Sequence, residues 1–308
     1  MTRVFVVILN WNRPGDTIEC LKSVGQSQVT GYELNVVVVD NASDDNSVDL
    51  ITRKTESATQ KLSGLKIIKN KENLGYAGGN NIGISYALKG GADYVMVLNN
   101  DTLVDVNLIS RFVEMVQKHP DVGIFSPKIY FAKGFEFHKE WYRKSEFGRV
   151  IWYAGGTIDW HNVYATNLGV DEVDRGQFAN KREIDFATGA CMFIKAESLK
   201  KTGIFDERYF MYFEDADLSL RMKKFGWKVL FVPKAILWHK VAQSSKIGSD
   251  LNDYYIHRNR LLFGIRYAPM HAKLALLKES VRFLFFGRPW QKKGVRDFYL
   301  GKLGRESW

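Results

Sequence analysis

Cysteine is nearly missing from this chain of 308 residues. Cys20 and Cys191 are too few for a disulfide framework and wrongly spaced for a zinc site. This scarcity is compatible with a reducing compartment. Long apolar runs are missing too. Val4 to Leu9 is a short run bounded by Asn10-Trp11-Asn12, with no small-residue cleavage pattern, so it reads as a buried strand and not a secretion signal. The longest later candidate, Leu274 to Phe286, is broken by Lys278, Glu279 and Arg282. It falls short of the roughly 18 apolar residues of a spanning helix, so the chain is not expected to cross a membrane by itself. Internal repeats and low-complexity segments are absent. So are the dinucleotide pattern G-x-G-x-x-G and the P-loop G-x-x-x-x-G-K-[ST]. No Ser/His/Asp or Cys/His arrangement marks a covalent nucleophile.

What is present fits one large globular unit with an appendage. Hydrophobic residues make up 45% and charged residues 25%, ordinary for a chain able to bury a substantial core. Charge is uneven. After residue 220 there are 19 lysines and arginines against 5 acids, a net of +14, which leaves −4 of the total +10 for residues 1–220. A basic module on a mildly acidic body has three candidate partners: nucleic acid, an anionic bilayer, or a pyrophosphate-bearing substrate. No recognised nucleic-acid module appears, although Tyr254-Tyr255 and the basic charge are compatible with one.

The first half alternates strand and helix signals. Strands are expected at Val4–Leu9, Asn35–Asp40, Leu65–Ile68, Tyr94–Leu98 and Val122–Phe125. Val36-Val37-Val38-Val39 is the kind of run buried on both faces of a sheet. Helices are expected from Pro14 to about Val24, after a cap at Ser43 or Asp44, from Gly79 to Leu88, and from Val106 to Val116. This order implies a mostly parallel sheet covered by helices on both faces. Residues 130–185 lose the alternation and read as irregular loops and short strands over a cleft. Phe186–Ile194 returns to strand character, and Leu218 to Phe225 is helical. Lys228–Val232 and Ile236–Trp238 read as short edge strands, followed by helices at Tyr254–Tyr267 and His271–Phe286.

Ligands of such sheets bind beyond the carboxyl ends of the strands. Four polar segments fall there: Asn10-Trp11-Asn12, Asp40-Asn41-Ala42-Ser43, Asn73 through Asn81, and Asn99-Asn100-Asp101. Gly75-x-x-Gly78-Gly79 lets backbone approach a ligand closely, or equally makes a turn with tight helix–sheet packing. Asp40 can accept hydrogen bonds from a pyrimidine N–H or a ribose hydroxyl, or simply form a turn with Asn41. Asp101 offers a carboxylate to a hard cation bridging two phosphates, with Asn99 a weaker ligand or ribose contact. Far downstream, Glu214, Asp215 and Asp217 sit within four positions. Acids are favoured at a helix start in any case. Two separated acidic tips also suit a metal-and-base pair, one holding the cation and the other taking a proton.

Five motifs occur in order: Val-Ile-Leu-Asn-Trp-Asn at 7–12, Val-Val-Asp-Asn-Ala-Ser at 38–43, Asn-Leu-Gly-Tyr-Ala-Gly-Gly-Asn-Asn at 73–81, Leu-Asn-Asn-Asp-Thr at 98–102, and Tyr-Phe-Glu-Asp-Ala-Asp-Leu-Ser-Leu-Arg at 212–221. Together they resemble the inverting family 2 glycosyltransferases of the GT-A fold, in the rhamnosyltransferase-like branch. The match spans about residues 3–240, and Trp238-His239 and Tyr254-Tyr255-Ile256-His257-Arg258-Asn259 fit patterns of some relatives. The resemblance implies a Rossmann-like central sheet, with a catalytic unit over 1–240 and a helical basic region over 241–308. The nucleotide half would span about 1–127 and the acceptor half about 128–240. It implies a donor site drawn from Asn10, Asn12, Asp40, Asn73, Gly75, Gly79, Asn80, Asn99 and Asn100. Asp101 would hold Mg²⁺ or Mn²⁺ with His239, and Asp215 would be the general base, supported by Glu214, Asp217 and Trp238. Asn99 departs from the family's Asp-x-Asp, which weakens the case for strict metal dependence. His239 reads equally as an ordinary buried histidine.

The implied partners are a dTDP- or UDP-linked sugar donor, with rhamnose the expected sugar, and a glycan or lipid-pyrophosphate acceptor in cell-surface polysaccharide synthesis. A cytoplasmic location is expected, peripheral on the inner face of the membrane. Leu274, Leu277, Val281, Leu284 and Phe285 recur at helical spacing beside Lys273, Lys278, Arg282 and Arg288. Such a helix suits an anionic bilayer interface, or packs on the catalytic unit or in a homodimer. Other classes are weighed against the transferase. A sugar-nucleotide nucleotidyltransferase usually opens on a Gly-rich basic loop, which Asn10-Trp11-Asn12-Arg13-Pro14 is not. A non-catalytic nucleotide-sugar binder has no need of a base.

Overall fold

Residues 1–55, 62–241 and 249–305 are described by a computed structural model. The chain forms β1 (Thr2–Asn10), α1 (Pro14–Gly25), β2 (Tyr32–Asp40), α2 (Ser47–Thr55), β3 (Gly64–Lys69), α3 (Gly75–Lys89), β4 (Tyr94–Asn99), β5 (Thr102–Val104), α4 (Leu108–Lys118) and β6 (Val122–Phe131). The middle carries β7 (Ile151–Tyr153), β8 (Gly156–Asp159), β9 (Tyr164–Asn167) and β10 (Arg182–Glu183). Then follow β11 (Cys191–Lys195), α5 (Ala196–Thr202), α6 (Glu214–Lys224), β12 (Lys228–His239), α7 (Asp250–Tyr267), α8 (Met270–Phe286) and α9 (Pro289–Tyr299).

The main sheet runs β10-β12-β6-β11-β4-β1-β2-β3, with β5 beside β12 and β7 beside β6. β3, β2, β1 and β4 are parallel, as are β12 and β6, while β11 runs against both β4 and β6. The four consecutive valines of β2 are all buried, because helices cover the sheet on both sides. Parallel strands in register bring Asn10, Asp40 and Asn99 to one edge: Asn10 pairs with Asp40, and Leu9 with Asn99.

Several expectations need correction. β12 is one strand paired on both sides, not two edge strands. Its register shifts between Val232 and Ile236, around Pro233, which has no N–H for the ladder. The strand expected at Phe186–Ile194 begins only at Cys191, so Thr188-Gly189-Ala190 is a loop. Neither Ser43 nor Asp44 caps α2. Ser43 is engaged with Asp40, and Asp45 accepts from the Ser47 N–H at the helix start. The three-residue β5, the short α5 and the third C-terminal helix α9 were not foreseen.

The C-terminal helices share a second core with the insertion and the acidic helix. Ile158 and Val163 of the insertion, Tyr209 and Phe213 before α6, Phe263 of α7 and Leu276 of α8 pack together. Among the described residues no helix is long and apolar enough to cross a membrane.

Candidate active site

One cleft of about 830 Å³ opens at the carboxyl ends of the parallel strands. Its floor is Leu9, Asn99, Asn100 and Asp101; the insertion supplies Trp152 and Thr166; α7 supplies Leu251, Asn252 and Ile256. Glu214 and Asp215 line the same cleft, as does His239. The two acidic tips, distant in sequence, therefore share one cavity.

Asp101 and His239 are neighbours because β5 pairs with the end of β12, setting Thr102 opposite His239. The Lys240 N–H donates to the Asp101 carbonyl at 2.9 Å, and Lys240 Nζ is held by Asp16 at 3.0 Å and Glu19 at 2.6 Å. These contacts fix His239 Nε2 at 3.0 Å from Asp101 Oδ1. Burial alone pushes the Asp101 carboxyl up, but the charge and hydrogen bond of His239 outweigh it, and its net shift is downward. A donor pair about 3 Å apart matches neighbouring corners of an octahedron with bonds of about 2.1 Å. The residues thus fit a divalent cation that takes its other ligands from phosphate and water. Among the described residues no cluster of three or more His, Cys, Asp or Glu forms a cage made of protein alone.

The base candidate sits at the first turn of α6. The loop before it is strained: Phe210, Tyr212 and Phe213 have φ of 64°, 68° and 72°. Two residues of α7 hold this loop in place. The Asn259 side-chain amide donates to the carbonyls of Tyr209, Met211 and Tyr212 at 2.8, 2.7 and 3.0 Å. The buried Arg258 Nη2 donates to those of Arg208 and Tyr209 at 3.0 and 2.9 Å. Gly75 has φ +70°, and a Cβ there would lie 2.5 Å from the Phe210 ring, so the strained loop also demands glycine across the cleft.

Asp215 Oδ2 accepts from the Gly189 N–H at 2.8 Å, and Oδ1 from the Ala216 N–H. Burial pushes the Asp215 carboxyl up, against those backbone donors. Glu214 is 5% exposed and its Oε2 has no hydrogen-bond partner. Burial first, and then the charge of Asp215, drive its carboxyl well above the usual range. Cys20 is no nucleophile: it is buried, and burial pushes its thiol up to about 12.

Of the other expected residues, Asn73 and Gly75 line the cleft. Asn10 and Asp40 are fully buried and bonded to each other at 2.9 Å, with Ser43 completing the Asp40 carboxylate. Asn12 accepts from the Asp44 N–H. Gly79 packs its backbone against Leu9, and Asn80 donates to the Tyr76 carbonyl at 2.9 Å. Asp217 points away from the cleft. It is wholly buried and accepts from Arg221 Nε at 2.7 Å, Arg266 Nη1 at 2.9 Å and the Tyr267 hydroxyl at 2.7 Å, which clamps α6 to α7. Trp238 donates to the Gly148 carbonyl at 2.9 Å and is not among the lining residues. Trp11 and Tyr76 line the cleft from segments expected at that edge, whereas the lining residues Trp152 and Arg305 were not foreseen.

The chain belongs to glycosyl transferase family 2, whose profile matches residues 5–203. A curated relative, N-acetylglucosaminyl-diphospho-decaprenol L-rhamnosyltransferase of Mycobacterium tuberculosis, is 26% identical over 253 residues, covering 80% of this chain and 78% of that protein. Among solved structures, a mannosyltransferase of Pyrobaculum calidifontis in complex with GDP-Man and Mn²⁺ is 18% identical with a TM-score of 0.56, over 97% of this chain and 74% of its own. GalNAc-T7 with UDP, GalNAc and Mn²⁺ is 16% identical with a TM-score of 0.67, over 97% and 55%. The fold is thus the mixed, helix-flanked GT-A sheet.

Proposed function

We propose that this chain is an inverting hexosyltransferase. It moves a sugar, rhamnose first among candidates, from a dTDP- or UDP-linked donor to a hydroxyl of a glycan or lipid-pyrophosphate acceptor. The observation that carries this reading is the convergence of Asp101 with His239 and of Asp215 on one cleft. The mycobacterial relative, a rhamnosyltransferase named for a diphospho-decaprenol acceptor, supports the sugar and the lipid-diphosphate acceptor.

Asp101 and His239 would hold Mg²⁺ or Mn²⁺, which neutralises charge on a departing diphosphate when bound. Asp215 takes the acceptor proton as the acceptor oxygen bonds to the anomeric carbon and the bond to the diphosphate breaks. One displacement inverts that centre. The Gly189 and Ala216 N–H groups aim the Asp215 carboxylate, and its burial raises its proton affinity. The α7 brace on residues 209–212 keeps donor and acceptor in line.

In this reading the enzyme works at the inner face of the cell membrane. Met270, Leu274, Val281, Phe285 and Phe286 of α8 are 69%, 61%, 48%, 68% and 84% exposed. Lys278 and Arg282, exposed on the same helix, complement an anionic bilayer. The donor is tested by a thermal-shift screen of nucleotide-diphosphate sugars with and without Mn²⁺ or Mg²⁺. A donor that binds the folded state raises its melting temperature. No shift with any of them would remove the transferase reading.

A further inference from the structure

Three carboxylates line the cleft, Asp101, Glu214 and Asp215, although its proposed donor is itself a polyanion. Among the described lining residues Arg305 is the one lysine or arginine. It comes from the far end of the chain, and its delivery is built into the fold. After α9, the Lys302 N–H donates to the Asp297 carbonyl at 2.8 Å, turning the tail back. The fully buried Arg258 donates from Nη1 to the Gly304 carbonyl at 2.6 Å, and the Gly304 N–H donates to the Arg208 carbonyl at 2.8 Å. The residue before Arg305 is thereby fastened to α7 and to the segment that leads into α6. Arg305 Nη1 then reaches the Asn73 carbonyl at 3.4 Å, at the start of the Asn-Leu-Gly loop that enters α3.

We propose that Arg305 is a donor-binding residue, whose guanidinium contacts the diphosphate of the nucleotide sugar and so makes the C-terminal tail part of the donor site. Three features favour this occupant. The contact to Asn73 puts the side chain on the nucleotide side of the cleft, at the loop beyond β3. The 3.4 Å bond to a neutral carbonyl is long and single, leaving most of the guanidinium donors for a ligand. A planar guanidinium presents paired N–H donors whose geometry matches phosphate oxygens. Arg258 binds no ligand in this scheme; it positions the tail that carries Arg305.

This inference rests on the donor reading above, and the test separates the two. Binding of UDP and dTDP, and of uridine and thymidine as their diphosphate-free counterparts, is measured by calorimetry and ligand-observed NMR at saturating Mn²⁺. Wild-type protein is compared with Arg305→Gln and Arg305→Lys. Arg305→Gln should weaken the bound diphosphate about ten- to a hundredfold, the range for a lost charge-assisted hydrogen bond, and leave its nucleoside within about twofold. Arg305→Lys should recover part of the loss. Arg305 is exposed, so an unchanged melting temperature is the expected control. Equal weakening of nucleoside and diphosphate, or no weakening of the diphosphate, overturns the role of Arg305 while the donor reading stands. Failure of wild-type protein to bind either diphosphate overturns the donor reading and this inference with it.

Discussion

The imidazole Nε2 of His239 stands 3.0 Å from Oδ1 of Asp101 although 138 positions separate them in the chain. The pairing of β5 with β12 makes them neighbours without any ligand. His239→Ala should therefore keep the fold and lose metal-assisted nucleotide binding, with the Mn²⁺ needed for half of the thermal shift rising about ten- to a hundredfold. An unchanged Mn²⁺ titration would remove His239 from the metal site.

As the proposed base, Asp215 must be ionised to take a proton, and burial raises its affinity for one. Activity should thus fall as pH drops through a value above the ordinary carboxylate 3.8, giving kcat/KM an acid limb displaced upward. Asp215→Asn should abolish that limb, reduce turnover at least about a hundredfold and leave donor affinity nearly unchanged. Steady-state kinetics across pH and calorimetry with the donor check the pair of outcomes.

Glu214 holds an unpartnered oxygen in a buried position. Its folded-state affinity for a proton is raised above the ordinary 4.5. Stability is then full below about that pH and is lost as pH rises toward the folded value, because the buried group resists ionisation. Glu214→Gln removes the ionisation, so it should stabilise the protein by about 1–3 kcal/mol at pH 7.5 and by almost nothing at pH 4. Urea unfolding at the two pH values measures this; equal effects at both would refute it.

The Asn259 side-chain amide donates to three carbonyls of the loop that precedes Asp215. Asn259→Ala should cost about 1–3 kcal/mol of stability and lower kcat more than it changes the donor KM, because the base moves while the donor contacts stay. A proportional change in KM alone would make the brace irrelevant to catalysis.

Phe285 and Phe286 project from α8 among basic residues. The protein should co-sediment with phosphatidylglycerol vesicles, less so in high salt, and the pair Phe285→Ser and Phe286→Ser should reduce binding severalfold. Activity on a water-soluble acceptor should not change. Vesicle binding that ignores the substitutions, or a dimer in sedimentation that they break, would reassign the surface.

The strands β1, β2, β3 and β4 were readable because each is a run of apolar residues ending on polar ones. β5 was not, since three residues carry no period, and Pro233 made one strand look like two. The acids of α6 were ambiguous in the sequence. In the structure all three open a helix, while Glu214 and Asp215 also line the cleft and Asp217 does not. Asp40 and Asp217 look alike as motif carboxylates, yet each is consumed by internal donors. Arg258 and Asn259 stood in a segment that fits a pattern of some relatives, but the sequence said nothing of what they hold, and Arg305 had no local signal. Their contacts exist only because α7 and the tail fold back onto residues 208–212.

That folding back makes the unit boundary expected at residue 240 a poor place to cut. A graft of foreign C-terminal helices onto this sheet would take away Asn259 and Arg258, and with them the hold on the backbone that aims Asp215. Chimeras meant to change membrane attachment should therefore exchange the exposed face of α8 alone and keep α7, α9 and the tail that carries Arg305.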